Sequence, residues 1–160
     1  MTETQPLLAA VDRLLEDQKG GADGPPWPAL LAELLRHFDC VLGTVHLMGK
    51  DGALHLTADT GLPPPVREKV QVVPIGKGMA GIAAERREPV QVCNLQTDAS
   101  GVVRPGAKLT QMEGSIAAPM LAGDRLAGVL GVAKPVAYEF TAEQSELLMA
   151  VGKRIAATLG

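Results

Sequence analysis

The pattern of apolar and polar residues predicts two helices at the start of the chain. Apolar residues recur at helical spacing over 7–15, and Lys19-Gly20-Gly21 then supplies a cation and glycines, which commonly end a helix. A second apolar stripe over 30–38 follows Pro28, which suits a first helical turn because its missing N–H is not needed there. The stretch 20–26 is rich in Gly, Pro and Asp. We therefore expect the first helix to dock loosely or against another subunit.

The next part of the chain predicts short strands. Residues 40–48 and 53–59 are rich in β-favouring types, and the turn sequence Gly49-Lys50-Asp51-Gly52 joins them. We expect an antiparallel hairpin at this point. A helical turn over 66–69 and a short strand over 70–73 are predicted to follow.

Three glycines with the spacing G-x-G-x-x-G stand at the start of a helix predicted over 79–86. Gly76, Gly78 and Gly81 could form the phosphate-binding turn of a dinucleotide site. That interpretation requires a buried parallel strand before the turn and βα units after it. Pro74 instead cuts the preceding strand, and hairpins follow. The sequence favours a structural turn, in which glycine permits positive φ and a close approach of helix to sheet.

The second half of the chain predicts a long loop, a hairpin and a final helix. After a strand over 90–93, residues 94–112 show no clear periodicity, and we expect this stretch to act as a lid. A second hairpin, rich in Ala and Gly, is predicted over 115–121 and 126–133. Thr141 begins a capping box that opens the last helix. This order of elements predicts an α+β domain with a mostly antiparallel sheet and flanking helices.

The composition is typical of a single soluble domain. The chain has 160 residues, of which 46% are hydrophobic and 21% charged. Its net charge of −3 argues against sequence-independent nucleic-acid binding, which needs clustered cations. No apolar run approaches the roughly 18 residues of a membrane span. We expect neither a nucleic-acid partner nor a membrane.

Two further features of composition bear on location and cofactors. Cys40 and Cys93 are far apart and form no C-x-x-C motif, which is typical of a reduced cytoplasmic protein. Aromatic residues make up only 2% of the chain, which leaves few rings to stack on a base or a haem. We expect a cytoplasmic protein without a cofactor.

Four pieces of the sequence, in this order, resemble those of a GAF domain, the small-molecule sensor module of signalling proteins. They are Pro74-Ile75-Gly76-Lys77-Gly78-Met79-Ala80-Gly81, Glu88-Pro89-Val90-Gln91-Val92, Ser115-Ile116-Ala117-Ala118-Pro119-Met120 followed by Gly128-Val129-Leu130, and Phe140-Thr141. The resemblance covers 25–160 and leaves 1–24 as an N-terminal helix and linker. It implies a sheet of five or six strands, terminal helices on one face, a lidded pocket on the other, and a homodimer through the first and last helices.

Cyclic-nucleotide-binding members of this family carry an Asn-Lys pair, then Phe, then Asp-Glu. The matching positions here are Ala133, Lys134, Phe140, Gln144 and Ser145. Three of the five residue types are absent, including both carboxylates. We therefore expect no cyclic-nucleotide binding through this motif.

The enzymatic branch of the family reduces free methionine-R-sulfoxide, which needs a nucleophilic thiolate and a second thiol close by to regenerate it. The family places these cysteines in the glycine turn and in the long loop. Ala80 stands at the turn position here, and residues 94–113 contain no cysteine. Cys93 lies one residue before the loop, and its only possible partner is Cys40. We expect no enzymatic activity, with the reductase kept as the second alternative function.

We predict a ligand site formed by residues of the turn, the strand end before the lid, the lid itself and the next strand: Met79, Ala80, Cys93, Asn94, Asp98, Met112 and Ser115. Thioethers fit irregular apolar ligands, and Met112 is the expected pocket wall. Ser115 either orients a ligand or is a plain edge hydroxyl. Cys93 is interpreted as a small apolar filler, with redox sensing as the alternative.

His46 and His55 stand on the two strands of the first hairpin and could share a face that holds a metal or a haem. Neither has an acid or a cysteine at ligand spacing, so half-buried or surface histidines are favoured. His37 is expected to interact with the C-terminal dipole of its helix.

The predicted function is a sensor that binds an unidentified small, weakly aromatic or apolar molecule between sheet and lid and acts on a signalling partner in trans. The first alternative is a ligandless dimerisation module. Both rest on the Ala- and Gly-rich second hairpin, because small side chains can leave a cavity or allow a sheet to pack closed.

Overall fold

The computed structural model describes residues 4–17, 25–98 and 110–159. The described chain contains five helices and six strands. The helices are α1 (Thr4–Asp17), α2 (Trp27–Phe38), α3 (Pro64–Lys69), α4 (Gly78–Arg86) and α5 (Ala142–Thr158). The strands are β1 (Leu42–Met48), β2 (Leu54–Thr60), β3 (Val72–Val73), β4 (Val90–Val92), β5 (Ser115–Ala122) and β6 (Arg125–Ala133).

The strands form one sheet in the order β3-β2-β1-β6-β5-β4. Each neighbouring pair is antiparallel, so the predicted α+β fold with an antiparallel sheet is confirmed. Both predicted hairpins are present as β1–β2 and β5–β6. The pairing of β1 with β6 joins them at the centre of the sheet.

One face of the sheet is covered by α1, α2 and α5. Leu7 and Val11 of α1 are buried in the same core as the apolar faces of α2 and α5. The expectation that this helix docks loosely is therefore wrong, because Leu7 and Val11 pack within its own chain. A contact of this helix with another subunit stays a prediction. The Arg154 guanidinium on α5 also donates to the Asp12 carboxylate at 2.9 Å. The predicted helix stop at 19–21 lies outside the described residues.

The opposite face carries α3 and α4, and the glycine turn sets the position of α4. Gly76 and Gly78 have φ of +88° and +67°, a region that favours glycine. A Cβ on Gly81 would lie 2.3 Å from the Pro74 carbonyl oxygen, so only glycine permits this close approach. The structural interpretation of the three glycines is confirmed, and no βαβ unit follows the turn in the described chain.

The final helix begins at the predicted capping box. The Thr141 hydroxyl accepts a hydrogen bond from the backbone N–H of Gln144, and the Gln144 side chain accepts one from the backbone N–H of Thr141. Gln91 of the edge strand bonds the backbone N–H and C=O of Phe140. The start of α5 is thereby attached to the sheet edge.

Candidate functional site

A cavity of about 360 Å³ lies on the face of the sheet that carries α3 and α4. Its floor consists of alternate residues from β1, β6 and β5, because successive side chains of a strand point to opposite faces. Cross-strand pairing arranges these residues in three rows: Leu42 with Ala133 and Ser115, Thr44 with Gly131 and Ala117, and His46 with Val129.

The middle row is the smallest, and this explains why the cavity exists. Gly131 has no side chain, and Thr44 and Ala117 flank it. Other small residues of the same hairpin face the helix layer, where Ala118 packs in the core and a Cβ on Gly128 would meet the backbone of His46. The Ala- and Gly-rich composition therefore serves two purposes, with close packing on one face and open space on the other.

The walls come from the elements that cross this face. The described lining residues outside the floor rows are Leu62, Val66, Lys69, Val70, Val73, Gly78, Met79, Ala80, Leu95, Thr110, Ile116 and Val132. The first turn of α4 stands over the floor because the glycine turn brings it close to the sheet. The wall is almost entirely aliphatic, as is typical of small-molecule sites.

His46 is the polar residue most deeply placed in this site, with only 3% of its surface exposed. Its Nε2 lies 2.9 Å from the Val70 carbonyl oxygen, and its Nδ1 is a buried atom without a partner in the described chain. Burial lowers the pKa of His46 below its usual 6.5, and the hydrogen bond to Val70 opposes this only in part. The expectation of a half-buried or surface histidine is wrong here, because His46 faces the cavity side and not the solvent.

The metal-site alternative for the two hairpin histidines is also contradicted. His46 pairs with Leu56 and His55 pairs with Leu47, so the two imidazoles lie on opposite faces. His55 bonds both carboxylate oxygens of the exposed Asp51, and this hydrogen bond is the main cause of the lowered pKa of Asp51. Within the described ranges, no cluster of three or more His, Cys, Asp or Glu residues could hold a metal ion.

The structure brings part of the predicted ligand set together. Met79, Ala80 and Ser115 line the cavity. Met112 packs beside it, against the cluster that contains Leu42 and Leu62.

Cys93, Asn94 and Asp98 are not among the described lining residues. Cys93 is exposed, so its interpretation as an apolar filler is wrong: Val90 and Val92 are buried, and alternation along the chain places Cys93 on the exposed side with Gln91. The Asn94 side chain donates to Glu113, and the backbone N–H of Asp98 donates to the Asn94 carbonyl. Whether any of the seven residues binds a ligand stays a prediction.

Both ends of the predicted lid are held together at its base. The backbone N–H of Leu95 donates to the Glu113 carbonyl at 2.7 Å, and the Gln96 side-chain amide donates to the Met112 carbonyl at 2.9 Å. These bonds place Leu95 and Thr110 at the cavity wall. The central part of the predicted lid, 99–109, lies outside the described residues.

Lys134, which occupies the lysine position of the cyclic-nucleotide motif, has a structural role. Its buried ammonium group donates to the carbonyl oxygens of Phe38 at 2.7 Å and Asp39 at 3.2 Å, at the end of α2. It also lies 4.4 Å from the ring centre of Tyr138, a favourable cation–π distance. Lys134 is therefore directed away from the cavity, which it does not line.

Sequence reasoning missed most of the cavity floor. Thr44 and His46 on β1, and Val129 and Ala133 on β6, are floor residues that alternation with period two could have grouped together. Alternation alone does not show which face of the sheet the terminal helices cover.

Comparison with known proteins identifies the family. The family model described as GAF domain matches residues 28–159. The chain belongs to the GAF domain family. None of the curated protein sequences compared with it matches. Among the described residues, no helix has both the length and the hydropathy needed to cross a bilayer.

Solved structures with the same fold include GAF domains of larger proteins and an enzyme. The GAF domain of a phosphoenolpyruvate-protein phosphotransferase from Coxiella burnetii is 17% identical, with 99% of this chain and 95% of that chain covered and a TM-score of 0.75. The GAF domain of the Acinetobacter phosphoenolpyruvate-protein phosphotransferase is 14% identical, with coverages of 96% and 92% and a TM-score of 0.73. The free methionine-R-sulfoxide reductase of Neisseria meningitidis, in complex with its substrate, is 18% identical, with coverages of 99% and 90% and a TM-score of 0.72.

Proposed function

We propose that this GAF domain is a cytoplasmic regulatory module that binds a small, largely apolar molecule in the cavity between the sheet and α3–α4. The observation that carries the proposal is the cavity itself, with about 360 Å³ of space over a floor row of Thr44, Gly131 and Ala117. Ligand sites usually begin at roughly 300 Å³ and combine an apolar wall with a few polar groups. This cavity meets both conditions.

The alternative of a ligandless dimerisation module requires the sheet to pack closed. The helix-side face fits that requirement, since Ala118 and Gly128 are covered by the core. The cavity-side face argues against it, because Gly131 and Ala117 have space above them.

A thermal-shift screen of metabolites and nucleotides tests this proposal. A compound present at 100 times its dissociation constant should add about 2.7 kcal/mol to the free energy of unfolding. Ala117→Leu places a larger side chain in the middle row, so it should abolish the shift, whereas Ala157→Leu on the exposed side of α5 should retain it. A shift of equal size in Ala117→Leu, or none with any compound, would contradict the proposal.

We also propose that the protein is not a reductase. Neither Cys40 nor Cys93 lines the cavity, and burial raises the pKa of the Cys40 thiol to about 11, which makes it a poor nucleophile. Purified protein should show no turnover with free methionine-R-sulfoxide and dithiothreitol. Turnover that disappears in Cys93→Ser would overturn this part of the proposal.

The regulatory role further implies a homodimer through α1 and α5 and a signalling partner in trans. The position of α1 against α5 supports such an interface, because it brings the two terminal helices side by side, joined by the Asp12–Arg154 ion pair. Sedimentation equilibrium at micromolar concentration tests the dimer. A monomer mass would remove the dimer from the proposal and leave the ligand site in place.

A further inference from the structure

The polar groups of the cavity occupy few positions, and these restrict what the cavity can bind. Among the described lining residues, the side chains with nitrogen or oxygen are those of Thr44, His46, Lys69, Thr110 and Ser115. Lys69 is exposed, and the described lining contains no carboxylate. A buried charge without a partner is costly. Beyond the exposed Lys69, a charged group would have no partner of opposite charge in the described lining, so the part of a ligand inside the cavity is neutral.

The middle row of the floor presents one hydroxyl and one methyl group to the cavity. The Thr44 hydroxyl oxygen lies over Gly131, where an added Cβ would be only 2.8 Å from it, and Ala117 lies on the other side. Taking ~30 Å³ for each non-hydrogen atom, the share of a water molecule in the liquid, the volume suits roughly a dozen atoms. The β1 side of this row carries Thr44 and, two residues on, His46.

His46 supplies an acceptor that has no partner. A carbonyl oxygen only accepts hydrogen bonds, so Nε2 must be the protonated nitrogen that donates to Val70, and Nδ1 carries a lone pair. Nδ1 is buried and unpaired in the described chain. An acceptor that is buried without a partner is destabilising, so a donor that reaches it is favoured.

Thr44 lies beside this acceptor on the cavity floor. Its hydroxyl makes no hydrogen bond with the part of the chain that the structure describes, and it lies about 7 Å from His46 along the same strand. Nδ1 itself is buried under neighbouring side chains. A donor group of the ligand can reach it only after those side chains move. Thr44 can hold a polar group of the ligand on the accessible side.

We propose that the cavity takes a neutral, largely apolar molecule with one N–H or O–H donor, and that this donor binds His46 Nδ1 beside Thr44. The inference rests on the proposed function, because it names the ligand class of the same cavity. An aliphatic or aromatic alcohol, an amide or an indole-like ring has this chemistry. A phosphate ester or a free carboxylate does not.

The test compares indole with indene, two bicyclic molecules of nearly equal shape of which only indole carries an N–H. Isothermal titration calorimetry gives the dissociation constants of indole and indene. The ratio of the two constants is compared between variants, so that the difference in hydrophobicity between the two probes cancels. His46→Gln retains an amide N–H for the Val70 carbonyl and lacks the acceptor at Nδ1. We expect the preference for indole to be about five- to tenfold larger in the natural protein than in His46→Gln.

Two control variants locate the effect. His55→Gln changes the histidine on the opposite face of the sheet and should leave the ratio unchanged. Thr44→Val removes the hydroxyl of the neighbouring floor residue at nearly constant shape. A ratio that responds to Thr44→Val and not to His46→Gln would overturn the assignment to His46.

A spectroscopic measurement on the unaltered protein removes the dependence on variant folding. The ¹⁵N resonance of His46 Nδ1 should move upfield when its lone pair accepts a hydrogen bond, with indole and not with indene. Equal movement with both probes, or none, contradicts this inference.

Failure of the proposed function gives a different pattern. If neither probe binds, or if Ala117→Leu leaves indene binding unchanged, the cavity is not the site and both proposals fall. If both probes bind, Ala117→Leu abolishes binding, and His46→Gln does not alter the ratio, only the donor assignment is wrong.

Discussion

At the scale of single residues, His46 is held in place by one hydrogen bond to the end of α3. The Val70 carbonyl receives the Nε2–H at 2.9 Å, which joins β1 to the segment before β3. The other nitrogen and most of the ring are buried. A protonated imidazole would therefore place a charge in the protein interior, and burial is the main reason that its pKa is lowered.

This lowered pKa predicts a loss of stability in mild acid. As pH falls below 6.5, the usual pKa of histidine, the unfolded chain binds a proton at His46 that the folded protein does not. The unfolded state then holds more protons, so the free energy of unfolding decreases from pH 6.5 down to the folded-state pKa, and is unaffected above 6.5.

Urea denaturation at several pH values measures this effect. His46→Gln should lose less stability than the natural protein between about pH 7.5 and about pH 5.5. His55→Gln alters the exposed partner of Asp51. Its free energy of unfolding should depend on pH almost as that of the natural protein does. An unchanged dependence in His46→Gln would show that other groups cause it.

Lys134 gives a second prediction at this scale. Its buried ammonium group donates to two carbonyl oxygens at the end of α2, and without them the charge would be buried with no hydrogen-bond acceptor. Lys134→Met should lower the free energy of unfolding by about 1–3 kcal/mol. Lys153→Met, on the exposed side of α5, should change it by less than about 0.5 kcal/mol. Equal effects in chemical denaturation would contradict the structural role.

At the scale of elements, the glycine turn determines where α4 lies. Gly81 stands in a helix, where alanine is normally more stable by roughly 0.5–1 kcal/mol. The Pro74 carbonyl oxygen occupies the position that an alanine Cβ would need, so Gly81→Ala should have the opposite sign. We expect a loss of about 1–3 kcal/mol, measured by urea denaturation. A stabilised variant would mean that α4 lies farther from the turn.

The elements themselves could be predicted well from the sequence. The hairpin at 49–52, the glycine turn and the capping box at Thr141 depend on local chemistry, and the structure has all three. The residues of the cavity could be predicted only in part. Met79, Ala80 and Ser115 were found because the family resemblance names their segments.

The remaining features depend on contacts between distant parts of the chain. The burial of His46 depends on Val70, which is 24 residues away, and the role of Lys134 depends on Phe38, which is 96 residues away. No local pattern carries this information. Cys93 is an exception, because the alternation of Val90, Gln91 and Val92 already places it on the exposed face, and the apolar-filler interpretation overlooked that pattern.

At the scale of the whole molecule, the sheet separates two different environments. The face under α1, α2 and α5 is a packed core, and the face under α3 and α4 contains the cavity. The same Ala- and Gly-rich hairpin serves both, since Ala118 fills the core side and Gly131 lines the cavity on the other. The proposed ligand would therefore lie on the face opposite the terminal helices.

The measurement that tests this account most directly is the location of a bound apolar probe. Intermolecular nuclear Overhauser effects between indene and methyl-labelled protein report which side chains touch it. We predict contacts with the methyl groups of Ala117, Thr44 and Val129, three residues of the cavity floor. Contacts confined to methyl groups of α1 or α5, with none to the floor, would contradict it.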